Sequence, residues 1–404
     1  FGELWVLADG GANATGVNSR GGITISAGDF NPERIQIDDT LLPSPSPVTN
    51  VGDRINNITG IIDYNFNNYE LLATSSLEVT PGNLAKETTN LTKGDDQLTV
   101  ATFNVENLDP NPNDGDDDTA RFQQIANSIA NNLQAPDIIG LQEIQDNNGA
   151  INDSEVDASL TYQTLIDAIA AAGGPLYQFR DIPPVDDQDG GQPGANIRVG
   201  FLFNPNRVSF VSAERIDPTN PAFNSSRKPL AGVFRFNEAP GFLLNGTPIN
   251  PGNTVTVIVN HFNSKGGDQP LYGPNQPPDL TSEPQRLQQA QIVNNYVDNL
   301  LTADPNANVI VLGDLNDFQF SEPLNVLRGV PGGVGTPVLT DLADALLPEN
   351  EQYTYIFQGN SQALDHVLAT ENLRNSNAEV DIVHLNSEFA DQVSDHDPIV
   401  SRFN

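Results

Sequence analysis

The chain has no cysteine and no methionine, one tryptophan, and only four lysines (Lys86, Lys93, Lys228 and Lys265) in 404 residues. Without cysteine there can be no disulfide framework, zinc–thiolate site or thiol nucleophile, and thiols give no clue to the redox compartment. No apolar run approaches the roughly 18 residues that a membrane-crossing helix needs. Positive charge is scarce: 18 Lys and Arg face 53 Asp and Glu, for a net charge of -35. A field of that sign opposes a general electrostatic grip on nucleic acid or an anionic membrane, but it permits phosphate chemistry carried out through bound cations. Three common catalytic signatures are also missing: a phosphate loop ending in Gly-Lys-Ser/Thr, Gly-x-Ser-x-Gly and His-Glu-x-x-His. An acidic, lysine-poor, cysteine-free chain suits salty or extracellular surroundings. Phe1 to Leu7 read as a strand entered part-way, so the expectation is a processed or excised piece of something longer.

Hydrophobic residues make up 37% of the chain, enough for a sizeable core, and 33 Gly and 30 Pro supply abundant turns. The length predicts two or three domains. Residues 1–95 show no helical period, only short apolar stretches between turn residues at Gly22–Ser26, Arg34–Asp38, Gly60–Tyr64 and Tyr69–Ala73. Leu42-Pro-Ser-Pro-Ser-Pro cannot pair inside a sheet, because proline lacks the N–H. This reads as a small β domain whose polar tail, about 86–97, is a linker. From Leu98 onward strands alternate with helices. One helix carries the stripe Phe122, Ile125, Ile129 and Leu133, a second covers about 157–172, and a third runs from about Pro284 to Leu301. The strands fall near 98–103, 137–143, 197–203, 254–260, 308–313, 364–369 and 380–384.

Polar side chains gather where these strands end: Asn104 and Glu106, Gln142 and Glu143, Asn260 and His261, Asp314-Leu-Asn-Asp, and Ser394-Asp-His-Asp-Pro near the close. One acidic residue after a strand is usually a turn former or a helix cap. Five such strand ends are a different matter, since ligands of α/β sheets bind outside the strands' carboxyl ends. In Asp314-Leu315-Asn316 the two polar side chains share a face of an extended segment while Leu315 points into the core. The donors Asn104, Glu143, Asp314, Asn316 and Asp395 are nearly all oxygen, which suits Mg²⁺, or Mn²⁺ or Ca²⁺, better than zinc. His366 and His384 are read as structural, His384 for want of polar company. The acidic stretches at 113–118 and 186–191 are read as solvated loops, because neither has the spacing of a calcium loop.

Taken in order, Thr102-Phe-Asn-Val-Glu-Asn, Asp137-Ile-Ile-Gly-Leu-Gln-Glu-Ile, Val259-Asn-His-Phe-Asn-Ser-Lys, Val311-Leu-Gly-Asp-Leu-Asn-Asp, Leu364-Asp-His-Val and Ser394-Asp-His-Asp-Pro resemble the endonuclease/exonuclease/phosphatase superfamily. The resemblance spans about 98–404. With Tyr353-Thr-Tyr-Ile-Phe and Pro284-Gln-Arg-Leu-Gln-Gln-Ala it is most similar to the bacterial extracellular nuclease branch. It implies a four-layer α/β sandwich, two packed mixed sheets flanked by helices, over 96–404. Residues 1–95, with their linker, resemble the latter part of an oligonucleotide-binding-like β domain.

By position in that family, Glu143, Asn104 and Asp395 would hold the metal. Asp314 and Asn316 would orient the attacking water and bind a phosphoryl oxygen, and Asp365 would pair with His396. His261 matches a second active-site histidine of the pancreatic deoxyribonucleases, where its partner is a Glu in an Arg-Glu-Pro context. Here Arg227-Lys-Pro takes that place, and a lysine cannot accept from an imidazolium. Phosphate contacts are therefore expected from Arg198, Arg227, Lys228, Lys265 and Arg286. The expected protein is a secreted or cell-surface, Mg²⁺-dependent (or Mn²⁺- or Ca²⁺-dependent) nuclease of DNA, with RNA the alternative substrate and no obligate protein partner. A phosphatase or phosphodiesterase of small organophosphates or phospholipid head groups is the first alternative; an inactive binding module is the second. The N-terminal module should help to hold substrate and take no part in bond cleavage.

Overall fold

The computed structural model describes residues 3–66, 68–112, 118–237 and 254–404, together with the two strands at 243–244 and 247–248. The acidic stretch at 113–117 lies outside the described residues. Two six-stranded mixed sheets dominate. The first runs, edge to edge, Gln178–Arg180, Arg198–Phe203, Ile138–Ile144, Leu98–Leu108, Ile399–Phe403 and Glu379–Ile382. The second runs Val208–Arg215, Leu230–Phe236, Thr254–His261, Asn308–Asp314, Asp365–Thr370 and Leu339–Asp341. Strands 208–215 and 230–236 had not stood out in the sequence.

The two-residue alternation of each strand sorts its side chains into layers. Leu98 and Val100, Val255, Val257 and Val259, Ile310 and Leu312, and Val367 and Ala369 all enter one cluster between the sheets. Residues of the opposite parity in the first sheet, among them Ala101, Phe103, Ile139 and Leu141, pack outward. They meet Phe122, Ile125, Tyr162 and Leu165 of the helices Asp118–Asn127 and Ser159–Ala171. On the far side Ile258, Val309, Val311 and Leu368 meet Ala290, Val293 and Val297 of the helix Glu283–Ala303 and Leu324 of Glu322–Leu327. The order helix, sheet, sheet, helix is the expected four-layer sandwich. Gly140 lets the sheets approach, since a Cβ there would sit 2.4 Å from Leu312 Cδ1.

The N-terminal region forms its own four-stranded sheet, in the order Leu4–Leu7, Arg34–Asp38, Asn68–Ala73, Gly60–Asn65. It is also sewn into the sandwich. Ile23–Thr24 adds in parallel to the hairpin Tyr355–Phe357/Asn360–Gln362, and Ile25 packs on Phe318 and Leu364. The polar stretch near 86–97 is packed too: Thr89 and Leu91 are buried, and Glu87 N donates to His384 O at 2.9 Å.

Candidate active site at the crest of the two sheets

The alternation that builds the inter-sheet core also builds the site. Continuing each inward-facing row by one step past its last apolar residue gives His261 after Val259, Asp314 after Leu312, Asp365 before Val367, and Asn104 after Leu98, Val100 and Thr102. Register then places three of them side by side: His261 pairs with Asp314 across a parallel ladder, and Asp314 with Asp365 across an antiparallel one. Gly313, at φ 128°, allows this, because a Cβ there would lie 2.1 Å from Asn260 O. Glu143 leaves the row through a left-handed backbone conformation (φ 64°), as does Asn316 (φ 51°), and both turn toward the cluster.

Asn104 Nδ2 donates to Glu143 Oε1 at 3.0 Å and to Asp314 Oδ2 at 3.3 Å, bridging the two sheets. Glu143 Oε2 accepts from the Asn107 N–H at 3.0 Å. His261 Nε2 lies 3.4 Å from Asp314 Oδ2 and 3.8 Å from Glu143 Oε1. Asn316 donates to Asp314 through its backbone N–H at 2.9 Å and its amide at 3.2 Å. His396 Nδ1 donates to Asp365 Oδ2 at 2.6 Å, leaving Nε2 directed to Asp314 Oδ2 at 3.8 Å. Asp395 borders the cluster, more open than the rest, its Oδ1 3.8 Å from His396 Nε2.

The electrostatics follow from this crowding. Burial, and then the Asp365 and Glu143 charges, push the Asp314 carboxyl up to about 7 against the opposing pull of His396. Burial alone would lower His396, but Asp365 and Asp314 outweigh it and hold the imidazolium well above its ordinary range. His261 goes the other way: burial first, then Arg227 and His396, press it well below that range, and its Nδ1 has no hydrogen-bond partner.

Ligand atoms of Glu143, His261 and Asp314 lie within 4.8 Å of one another, as do those of Asp314, Asp365 and His396. A buried and a partly exposed carboxylate, an amide and one imidazole form an oxygen-rich donor set that fits a hard divalent cation. Burial is the chief cause of the raised Asp314 carboxyl, and a cation held there would offset it.

The cations anticipated as a phosphate-binding patch are placed differently. Arg198 faces the outer helical layer, where it donates to Val156 O at 2.6 Å and pairs with Asp181 at 3.2 Å. Arg286 is wholly buried against Asp317, 2.7 Å away, beneath the second sheet. Lys228 is held by Asp189 at 2.6 Å, so part of the acidic stretch 186–191 is an ion-pair partner and not a free loop. Arg227 is buried below the site, donating to Phe262 O at 2.6 Å. Lys265 alone of the five keeps about a fifth of its side chain accessible, but its Nζ is covered, 4.3 Å over the Phe318 ring with Asp317 and Asp268 at 3.8 and 3.9 Å. For four of the five the physical reason is shared: in a chain this acidic, a cation near the core finds a carboxylate before it finds solvent, whereas Arg227 finds a carbonyl.

His384 is not without polar company as the sequence had it, since its Nδ1 donates to Asp397 Oδ2 at 3.1 Å and its ring stacks on Tyr353, a buried arrangement compatible with a structural role. His366 is structural as expected, held between Asp341 Oδ2 at 2.7 Å and Asp317 O at 2.8 Å. The sequence reading passed over Thr354, whose hydroxyl donates to Asp365 Oδ2 at 2.7 Å, and Tyr355, whose ring lies 4.9 Å from that of His396. Only their place in the Tyr353-Thr-Tyr segment, eleven residues before Leu364-Asp-His, hinted at them.

A fold and a site of this kind define a phosphoester-hydrolase-like α/β sandwich, and the relatives agree. A family model described as the Endonuclease/Exonuclease/phosphatase family matches residues 101–396, and the chain belongs to that family. A second model, described as a domain of unknown function, matches residues 1–82. The human Nocturnin catalytic domain, solved with a bound sulfate anion, shares the fold at 15% identity, covering 79% of this chain and 97% of its own with a TM-score of 0.51. A humanized D. rerio TDP2 aligns at 18% identity over 76% of this chain and 99% of its own, with a TM-score of 0.48. A Bacteroides thetaiotaomicron protein of the same family aligns at 17% identity over 76% and 95%, with a TM-score of 0.46. No curated protein sequence matches the chain.

Proposed function

We propose that this protein is a divalent-metal-dependent phosphodiesterase that cleaves DNA, acting outside the cell or at its surface. The observation that carries the reading is the convergence of Asn104, Glu143, His261, Asp314, Asn316, Asp365 and His396 from both sheets onto one crest. Glu143, Asn104 and Asp314 would hold the cation, with Asp395 at the rim. A cation bound there supplies Lewis-acid polarisation of the phosphoryl group. Asp314, fixed by two donors from Asn316, orients a water for in-line attack. The His396 Nε2–H faces the charge that gathers on the phosphoryl oxygens, while both Asn316 amide hydrogens are engaged, by Asp314 and by Phe262 O. Asp365 fixes the orientation of the His396 ring by taking Nδ1–H, so Nε2–H is the group presented to substrate. His261 touches both carboxylates and, kept neutral, can accept or donate at Nε2 without adding charge. Lys265, the most accessible of the expected cations, would have to swing its Nζ away from Asp317 and Asp268 to meet a neighbouring phosphate. The extracellular setting is supported by composition: a net charge of -35, four lysines and no cysteine.

One assay decides among substrates: plasmid DNA, RNA, bis(p-nitrophenyl) phosphate and p-nitrophenyl phosphate, each with Mg²⁺ and with chelator. Chelator-sensitive cleavage of DNA and the diester is expected, with little on the monoester. Turnover of the monoester alone would replace the nuclease reading with a phosphatase.

A further inference from the structure

A side chain from the N-terminal region reaches the candidate site through an unbroken set of contacts. Arg20 Nε donates to Glu388 Oε2 at 2.6 Å, while its other nitrogens bond Glu87 Oε1 at 2.8 Å and Ala85 O at 2.9 Å. The other oxygen of Glu388 accepts from the Tyr353 hydroxyl, also at 2.6 Å. The Tyr353 ring is stacked on His384 with centroids 4.2 Å apart, and His384 is tied to Asp397 at 3.1 Å, next to His396 in the chain. Thr354 follows. Its hydroxyl donates to Asp365 Oδ2 at 2.7 Å and accepts from the Asp365 N–H at 3.1 Å, and its carbonyl takes the Asp397 N–H at 2.7 Å. Asp365 Oδ2 is the atom that holds His396 Nδ1. The hairpin carrying Tyr355 is paired on its other side by Ile23–Thr24, a few residues beyond Arg20.

We infer that Arg20 is a positioning residue for the hydrolytic site, acting through Glu388, Tyr353 and Thr354 to hold the Asp365–His396 pair. The physical argument is one of burial. The Glu388 side chain is fully covered, and Arg20 is the cation in direct contact with it, supported by His384 and the Tyr353 hydroxyl. Remove the guanidinium and Glu388 loses that ion pair, leans harder on His384 and Tyr353, and shifts its short bond to Tyr353. The Thr354 hydroxyl is held against Asp365 by two bonds and its carbonyl against Asp397 by a third, so a shift of Tyr353 passes directly to the carboxylate that orients His396. The N-terminal region is then part of the catalytic unit, and not only a holder of substrate as its composition implied. The inference rests on the assignment of His396 to the reaction.

The test is steady-state hydrolysis of bis(p-nitrophenyl) phosphate by the full chain. This substrate is too small to need a remote docking surface. Arg20→Met should lower kcat about 10-fold with KM changed less than twofold, at the low end of what loss of an outer-shell partner costs. Arg20→Lys, which keeps the charge, should recover most of the loss. Arg402→Ala breaks an ion pair with Glu379 on the far strands of the first sheet and serves as the control for destabilisation. It should lower Tm and leave kcat alone. Should Arg20→Met fail to fold, Tyr353→Phe, which removes one hydroxyl, should still lower kcat. Wild-type kcat in Arg20→Met, or in Tyr353→Phe where that variant has to stand in, overturns the inference. Equal kcat losses in Arg20→Met and Arg402→Ala at matched Tm overturn it as well. His396→Ala is measured alongside. If it keeps wild-type kcat the functional reading itself fails; if it is inactive while Arg20→Met is normal, only the relay fails.

Discussion

Glu143 shows how much one side chain can decide. It reaches the crest through a left-handed backbone conformation that costs an ordinary residue roughly 1 to 3 kcal/mol, the sort of strain that functional positions retain. Glu143→Gln keeps its size and one of its acceptors but loses the charge a hard cation requires. Cleavage of the diester should fall by at least about 10²-fold, with Mg²⁺ affinity by calorimetry weakened and the circular dichroism spectrum unchanged. Wild-type turnover in that variant would remove Glu143 from the site. His396→Gln tests the other sheet's contribution. It keeps a donor near the phosphoryl position but cannot pair with Asp365 as an imidazolium does, and the loss expected for a proton-handling group is about 10²- to 10⁴-fold in kcat. The sequence could name both residues, because Glu143 closes a strand in a polar run and His396 sits in one just before the last strand. It could not name Thr354, whose role depends on a hydroxyl meeting Asp365 from a hairpin that no local pattern ties to that strand.

At the scale of elements, the buried pairs under the second sheet decide how the strand ends are held. The helix Glu283–Ala303 is pinned at its start by Arg286, which bonds Asp317 just past the Asp314–Asn316 turn. Arg286→Met fills similar space but strands the Asp317 charge, and should cost about 3 to 5 kcal/mol in denaturant unfolding. A loss below about 1 kcal/mol would mean that Asp317 is readily rehydrated. The same loop is joined from below by His366. Burial opposes its charge, but Asp341 and the Asp317 carbonyl outweigh that and raise its folded value above the ordinary one. A raised histidine stabilises the folded state fully below its unfolded value, near pH 6.5, and loses that contribution as pH climbs through the folded value. With chelator present, the Tm gap between the wild type and His366→Asn should therefore be widest below about pH 6 and narrow as pH rises. A gap that widened with pH would show that the pair works in its neutral form. Sequence periodicity had His366 on the face opposite Asp365, and alternation was enough for that. It gave no sign that Asp341, 25 residues away, would be its partner.

For the molecule as a whole, charge and packing pull in separate directions. The anticipated cationic patch is largely spent on internal ion pairs, which leave the net charge of -35 without the local basic patch that could offset it for a polyanion. Screening acts over roughly 10 Å at 0.1 M salt, and it should relieve that long-range repulsion more than it weakens close contacts at the crest. At saturating Mg²⁺, DNA cleavage should hold level or rise as NaCl goes from low to about 0.3 M, where that length shortens further. A small diester should be indifferent. A steep monotonic fall on DNA, as counterion release from a basic nuclease produces, would show that cationic contacts control binding after all.

The sequence alone determined the layers and most of the crest. Strand parity and helical stripes are local properties, set by the two periods of the backbone. Whichever partner a strand finds, its inward row ends in the same polar residue: Asn104, His261, Asp314 or Asp365. Only the tertiary structure decided which cations remain free, that Ile23–Thr24 joins the hairpin of Tyr355, and that Arg20 stands behind Glu388 and Tyr353. Those facts depend on contacts between residues some 330 to 370 positions apart, whose geometry no local period encodes. An arginine reads the same in sequence whether it ends up facing a phosphate or a buried carboxylate, because burial and the partner that compensates it exist only once the chain has closed.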